Sequence, residues 1–346
     1  MIKTGKIISM ATFGMLLAGL SSCVSTEIIE PEKGSQTNSD ELTLSFSAPA
    51  DKLDPRADES HTLRYIAFVI PRSNGSYDWT KAQRKEIIEN ERKSDNVIAF
   101  KVDPDQDYMI GVFADYIPVS SQADGNGYYA DYYYNTQTKD SYITLNPNPG
   151  NSSGISTSFF NNDYYDCFSF TKDVHKEKTR LDVECELDRA TAKVRFIDEN
   201  ASKENFSNIT FSALSYVTQF VIQTQGCGVY SNVKSADLQN VKLTEMSNPA
   251  EHELFYFYTL AGSKGGSIVN LKGITFTSTN TQEKSNKTQI PEYTIPIQKN
   301  FITTVKGSFV PVLTTPDPGV TTPEEGDLYL NVSVNDNWQT GQTVNQ

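Results

Sequence analysis

Histidine, cysteine and positive charge are scarce in this sequence, and each scarcity excludes a class of function. None of the three histidines, His61, His175 and His252, lies in a nucleophile motif such as Gly-x-Ser-x-Gly. The four cysteines include no Cys-x-x-Cys pair, which argues against a zinc site and a disulfide framework. The 30 Lys and Arg residues face 43 Asp and Glu residues, so no basic surface is available for nucleic acid. We therefore expect a protein that is not an enzyme, has no cofactor or metal, and binds no nucleic acid.

The first residues have the layout of an export signal that ends in a cysteine. Lys3 and Lys6 precede the apolar segment "MATFGMLLAGL", which is too short for a membrane-spanning helix. It ends in "LSSC", which resembles the lipobox of bacterial lipoproteins. That resemblance implies acylation of Cys23 and removal of residues 1–22, which changes the net charge from −13 to −15 because both lysines are lost. A lipidated tether over 23–40 follows. The alternative is a plain secretory signal in which Cys23 has no role.

Short segments rich in aromatic and β-branched residues indicate strands along the rest of the chain. In "ELTLSFS", Leu42, Leu44 and Phe46 alternate with polar residues, so this strand buries one face. Clusters of Asn, Gly, Pro and Asp separate such segments, and this pattern predicts an all-β fold of two tandem antiparallel β-sandwiches. We assign them the Greek-key, transthyretin- or immunoglobulin-like type, over residues 41–187 and 188–346. One short helix is expected, over 82–91, within a polar surface segment.

Three features have a functional and a structural interpretation. Asp103, Asp105 and Asp107 have the spacing of a calcium loop but lack the glycine and glutamate of an EF-hand, which favours solvated loop carboxylates. The tract "GYYADYYYN" could stack on sugars, but packing of Tyr129, Tyr133 and their neighbours onto a sandwich is the favoured interpretation. Besides Cys23 there are three cysteines, Cys167, Cys185 and Cys227, and they allow either one disulfide or buried thiols.

An ordered series of segments resembles the fimbrillin-like lipoproteins, which are subunits of type V pili on Gram-negative bacteria. The segments are "DYMIGVFADYIP", "GYYADYYYN", "NNDYYDCFSF", "LDRATAKVRFID" and "IPIQKNFITTVKGSFV". In that family an Arg-x-x-Ala-Lys strand opens the second domain, here Arg189, Ala192 and Lys193. A basic-Asn-aromatic-x-Thr segment leads into the closing strands, here Lys299, Asn300, Phe301 and Thr303. Cys167 departs from the pattern, because relatives tend to carry a small residue such as alanine at its position.

The resemblance implies an outer-membrane lipoprotein precursor that matures into a fimbria subunit at the cell surface. A trypsin-like protease would cut after an arginine in the loop behind the first strand, and Arg56 is that residue. Arg64 is the nearest rival, but it stands at the start of an apolar strand that a protease could hardly reach. Release of the first strand would leave a groove, which the C-terminal strand of the next subunit fills by β-augmentation.

The donor strand in this chain would be "LYLNVSV", behind a linker rich in proline. Because successive side chains of a strand point to opposite sides, one face carries the apolar residues Leu328, Leu330, Val332 and Val334. The alternative is that this strand closes its own C-terminal sandwich.

Two functions follow from these features. The first is a structural pilus subunit, whose partners are other pilin subunits, the outer membrane and the maturation protease. The second is a surface-anchored binding lipoprotein, a pilus anchor or a tip adhesin, with a host glycan or protein as partner. The fate of the two chain ends distinguishes them, because a polymerising subunit needs both a removable first strand and a free donor strand.

Overall fold

The computed structural model describes fourteen segments of the chain. They are residues 39–47, 60–89, 97–136, 142–149, 156–204, 206–210, 213–227, 235–236, 241–262, 267–272, 274–279, 285–290, 293–309 and 331–335. Cys23, Arg56, Leu328 and Leu330 lie outside the described residues.

The fold is all-β, as the sequence predicts. The strands up to residue 189 are β1 (Glu41–Ser47), β2 (His61–Ser73), β3 (Ser76–Tyr77), β4 (Gln83–Ile88), β5 (Val97–Lys101), β6 (Gln106–Pro118), β7 (Tyr134–Asn135), β8 (Tyr142–Leu145), β9 (Cys167–Lys176), β10 (Leu181–Glu186) and β11 (Asp188–Arg189). Those that follow are β12 (Thr191–Ile197), β13 (Phe206–Thr210), β14 (Ala213–Ser215), β15 (Gln219–Val221), β16 (Gly226–Cys227), β17 (Ser235–Ala236), β18 (Lys242–Leu243), β19 (Glu253–Leu260), β20 (Ser267–Lys272), β21 (Ile274–Thr279), β22 (Ser285–Ile290), β23 (Tyr293–Ile297), β24 (Ile302–Lys306) and β25 (Asn331–Asn335). Short 3-10 helices cover Trp79–Lys81, Thr157–Phe159, Asp163–Tyr165 and Pro249–Glu251. No helix in the described segments is both long enough and apolar enough to cross a membrane.

The strands pair mostly in antiparallel fashion. The first half of the chain forms the sheets β10-β1-β5 and β11-β9-β6-β2-β3, with β4 also paired to β2. The second half forms β19-β12-β24-β25, β18-β13-β21-β22 and β17-β14-β20-β23. The sheet β16-β15-β8-β7 takes strands from both halves. The consecutive strands β10, β11 and β12 belong to three different sheets, which is where the sequence places a domain boundary. That boundary and the Greek-key connections stay predictions.

The long hairpin of β2 and β6 forms the middle of the larger N-terminal sheet. Residues 62–70 of β2 are all buried, because the strand is covered on both faces and reads as one apolar run. Beyond this run β2 turns into β3 through Asn74 and Gly75, whose φ values of 52° and 82° suit a type I′ turn. Gly111 of β6 is required by a close approach, since an added Cβ would lie 2.6 Å from Cγ2 of Ile222.

The prediction of a helix over 82–91 is wrong, because residues 83–88 form the strand β4. This strand pairs antiparallel with β2 from Arg64↔Ile88 to Val69↔Gln83. Its sequence "QRKEII" is so rich in charged residues that no alternation of apolar and polar residues is visible. Arg84 and Glu86 nevertheless turn toward the interior, where Glu86 has a fully buried side chain. Tertiary pairing with β2 therefore overrides the local helical preference of the segment.

Candidate strand-exchange site

The first strand occupies the middle of a three-stranded sheet and is paired along both edges. It runs parallel to β10 from Leu42↔Leu181 to Ser47↔Glu186. It runs antiparallel to β5 from Glu41↔Lys101 to Ser45↔Val97. Removal of β1 would therefore leave a slot with unpaired backbone groups on both walls, and such groups are strongly disfavoured when they are buried.

The inward face of β1 is apolar, as its alternating sequence predicts. Leu42 and Leu44 are 0% exposed and Phe46 is 4% exposed. In register, Leu42 is opposite Phe100, and Phe46 is opposite Cys185. The ring of Phe46 also lies 5.5 Å from that of Tyr65. Full burial of such side chains is worth roughly 1.5–3 kcal/mol each, so this face anchors β1 firmly.

A buried lysine fixes the chain just before β1. The side chain of Lys176 is 0% exposed, and its ammonium donates hydrogen bonds to the backbone carbonyls of Ser39 at 2.7 Å, Glu177 at 2.7 Å and Thr179 at 2.5 Å. The amide of Ser39 donates in turn to the carbonyl of Lys178 at 2.8 Å. These contacts set where the first strand begins.

Arg64, the rival cleavage residue, lies inside β2 with a fully buried side chain. Its guanidinium donates to both carboxylate oxygens of Asp115 at 2.9 Å and to Asp131 at 3.0 Å, and Glu86 lies 3.5 Å away. Burial lowers the pKa of Arg64, but the carboxylates of Asp115, Glu86 and Asp131 outweigh it and raise that pKa. Burial raises the pKa of Asp115 to about 6, although the neighbouring Arg64 lowers it.

The charged residues Arg64 and Glu86, together with Arg84, also hold the tyrosine tract in place. Arg64 donates to the carbonyl of Tyr129 at 3.0 Å, and the amide of Tyr129 donates to Glu86 at 3.0 Å. The guanidinium of Arg84 donates to the carbonyl of Thr136 at 2.6 Å. Tyr129, Tyr133 and Tyr134 are buried, which confirms packing as the role of these rings.

The two basic residues of the Arg-x-x-Ala-Lys segment each contact an aspartate. The Nε of Arg189 donates to Asp166 at 2.6 Å, and the Nζ of Lys193 lies 3.3 Å from Asp163. Burial raises the pKa of Asp163, but Lys193 and the hydroxyl of Tyr258 outweigh it and lower that pKa. The sequence pattern identifies Arg189 and Lys193 but not their partners Asp163 and Asp166. The segment "DYYD" nevertheless separates the two aspartates by nearly the same number of residues as separates Arg189 from Lys193.

The other family-like segment lies against β12. The amide of Asn300, a residue with φ of 66°, donates to the carbonyl of Thr191 at 2.8 Å. The carbonyl of Phe301 accepts from the amide of Lys193 at 3.1 Å. Both motifs therefore stabilise the start of the second half of the chain.

The C-terminal strand lies at the edge of its own sheet. β25 pairs antiparallel with β24, so that Val332 is opposite Val305 and Val334 is opposite Thr303. The donor role of 328–334 stays a prediction, and the structure describes a state in which residues 331–335 are paired within the same chain.

The remaining candidate residues are the cysteines and the aspartates with the spacing of a calcium loop. Cys167 and Cys185 are buried thiols without a disulfide. Asp105 lies 3.4 Å from Lys178, and Asp107 lies 2.7 Å from His175, all of them exposed. Within the described segments, no group of three or more His, Cys, Asp or Glu side chains could hold a metal ion.

A family model with the description "family of unknown function (DUF6562)" matches residues 33–343. No curated protein matches this sequence.

Several solved structures are similar over most of the chain at low identity. A candidate cell adhesion protein from Bacteroides eggerthii is 15% identical, with 87% of this chain and 97% of that chain covered and a TM-score of 0.41. The tip fimbrial protein Mfa3 from Porphyromonas gingivalis is 13% identical, with coverages of 85% and 99% and a TM-score of 0.39. The fimbrial anchor protein Mfa2 from the same organism is 11% identical, with coverages of 86% and 97% and a TM-score of 0.40.

Proposed function

We propose that this chain, which belongs to the DUF6562 family, is a structural subunit of a cell-surface fimbria. It is exported as a lipoprotein acylated at Cys23, and it reaches the outer membrane as a precursor. A trypsin-like protease then cuts after Arg56, and the subunits join by strand exchange. The resemblance of its sequence to fimbrillin-like lipoproteins of type V pili supports this assignment.

The observation that carries the proposal is the position of β1 between β5 and β10. A strand paired on both edges and buried through Leu42, Leu44 and Phe46 can be replaced only by another strand that makes the same contacts. The chain joins β1 to β2 through residues 48–59, which contain Arg56. A single cut there separates β1 from the rest of the chain without breaking β1 or β2.

The burial of Arg64 supports Arg56 as the cleavage residue. Proteases require a segment that is exposed and locally unfolded. Arg64 has a fully buried side chain in a strand that pairs with β4 on one side and β6 on the other. Cleavage at Arg64 would require the central sheet to open.

A pilus anchor or tip adhesin is the second candidate, and the pairing of β25 favours it. A terminal subunit has no need of a free donor strand, and residues 331–335 pair with β24 of the same chain. For the polymerising subunit, the strand must leave this edge before it enters a neighbour.

Labelling of Cys185 tests the proposal, because this buried thiol lies opposite Phe46 of β1. The full chain with Cys23→Ser and Cys227→Ser is treated with a trypsin-like protease and a maleimide, and its size is followed by chromatography. We expect cleavage after Arg56 to expose Cys185 and to give oligomers. Arg56→Gln is the matched control, and it should stay unlabelled and monomeric. A cut chain that stays monomeric with Cys185 protected would contradict the polymerising role and favour the terminal one.

A further inference from the structure

We propose, building on the strand exchange proposed above, that the slot between β5 and β10 selects its incoming strand by an aromatic ring at the place of Phe46. The slot therefore binds a strand from a different subunit more tightly than the closing strand of a second copy of this chain, which enters only where no such strand competes. The partner is defined by its chemistry, as a strand with aliphatic residues at two alternate positions and an aromatic residue at the third.

The far end of the slot is shaped for a ring. Phe46 is 4% exposed and lies 5.5 Å from Tyr65, with the two ring planes tilted by 31°. Tyr65 is itself 1% exposed and belongs to β2, which is held between β4 and β6. Cys185, opposite Phe46 on β10, has a small side chain that leaves room for the ring. Since interiors are close-packed and relax only partly, a smaller side chain at this place would leave a void.

The near end of the slot fixes the register. The buried ammonium of Lys176 binds the carbonyl of Ser39, seven residues before Phe46. Two carbonyls from the turn after β9 occupy its other hydrogen atoms. An incoming strand must therefore extend seven residues before its ring, so that one of its backbone carbonyls reaches Lys176. A slip of two residues would preserve the inward face but move the ring away from Tyr65.

The closing strand of this chain does not meet the requirement for a ring. Its alternate residues from position 328 onward give three successive sets, namely Leu328, Leu330 and Val332, then Leu330, Val332 and Val334, then Val332, Val334 and Asp336. Each set places valine or a carboxylate where Phe46 sits. The next set ends in Trp338 but places Asp336 where Leu44 is buried, and an unpaired buried carboxylate is strongly disfavoured.

Peptide competition on the cut full chain tests this selection. The probe is a fluorescent peptide of residues 39–47, which exchanges with the cut first strand. We expect the same peptide with Phe46→Val to compete about tenfold or more weakly, because it leaves the ring's place unfilled. A peptide of residues 327–335 should compete as weakly, and Val334→Phe in that peptide should restore competition, because it places a ring seven residues after the carbonyl of Asp327. Ser45→Ala in the 39–47 peptide is the matched control and should change little.

The outcomes separate this inference from strand exchange itself. If Val334→Phe gives no gain, or if the 39–47 peptide competes equally well with and without Phe46→Val, the selection is overturned while strand exchange stands. If the unaltered 39–47 peptide does not bind a cut chain whose Cys185 stays protected, strand exchange fails and the selection fails with it.

Discussion

Arg64 and Lys176 both bury a positive charge completely, and different partners compensate for the burial. Arg64 is surrounded by carboxylates, whereas Lys176 is bound by backbone carbonyls. The sequence predicts that Arg64 is inaccessible, since it stands in an apolar run. It does not predict the partners, because Asp115 and Asp131 lie 51 and 67 residues further along the chain. Only the packing of β2 against β6 and the tyrosine tract brings them together.

Replacement of Arg64 by methionine should be strongly destabilising. The substitution leaves Asp115 and Glu86 as buried carboxylates without their main cation, and such losses cost about 3–5 kcal/mol. Arg72→Met is the control, because Arg72 lies on the same strand and is exposed; it should change the free energy of unfolding by about 0.5 kcal/mol or less. Urea unfolding measures both. Equal effects of Arg64→Met and Arg72→Met would mean that the ion pairs of Arg64 with Asp115, Glu86 and Asp131 do not stabilise the fold.

At the scale of elements, β1 and β4 show what a period of two can and cannot predict. The pattern of "ELTLSFS" correctly predicts β1 and the residues it buries. The pattern does not predict which strands pair with β1. The parallel pairing of β1 with β10 joins segments that are far apart in the sequence, which a local pattern cannot reveal. β4 was missed because its buried positions carry Arg84 and Glu86, whose charges are satisfied only by the fold. The alternation rule assumes that inward residues are apolar, and β4 violates that assumption.

Lys176→Met should loosen β1 in the chain that has not been cut between residues 48 and 59. The substitution leaves the carbonyls of Ser39, Glu177 and Thr179 without their shared donor, and hydrogen bonds to charged groups contribute about 1.5–3 kcal/mol each. We therefore expect faster hydrogen exchange in β1 and roughly tenfold or faster labelling of Cys185 by local opening. Lys178→Met is the matched control, since Lys178 is exposed. Identical exchange rates in the two variants would show that Lys176 does not hold the start of the strand.

At the scale of the whole molecule, the two halves of the chain meet through specific polar contacts and through a shared apolar core, in which Phe159 and Phe160 pack against Phe257. Arg189 and Lys193 reach back to Asp166 and Asp163, and β8 pairs with β15. The all-β class was predictable, because it depends on composition and alternation along the whole chain. The assignment of each strand to a sheet was not predictable, since it depends on which strand edges meet when the chain folds.

Truncation after Gly326 should leave a folded protein that cannot assemble. The described part of the closing strand, β25, lies at the edge of its sheet and pairs with β24, so its loss removes an edge rather than a central strand. We expect export and cooperative unfolding to be retained, with no fibres formed after cleavage. Electron microscopy of cleaved protein and thermal unfolding measure the two properties. Loss of folding would assign the strand to its own core, and fibres without it would exclude exchange through this end.

The parallel contact of β1 with β10 also makes folding slow. Ser45 and Val183, which meet across this contact, are separated by 138 residues. Pairing over such a distance must wait for slow loop closure, so topology of this kind lowers the folding rate. In the export proposed above, β1 emerges long before β10, so the edge of β1 that pairs with β10 stays open during that interval. A delay in export would expose this open edge to neighbouring copies.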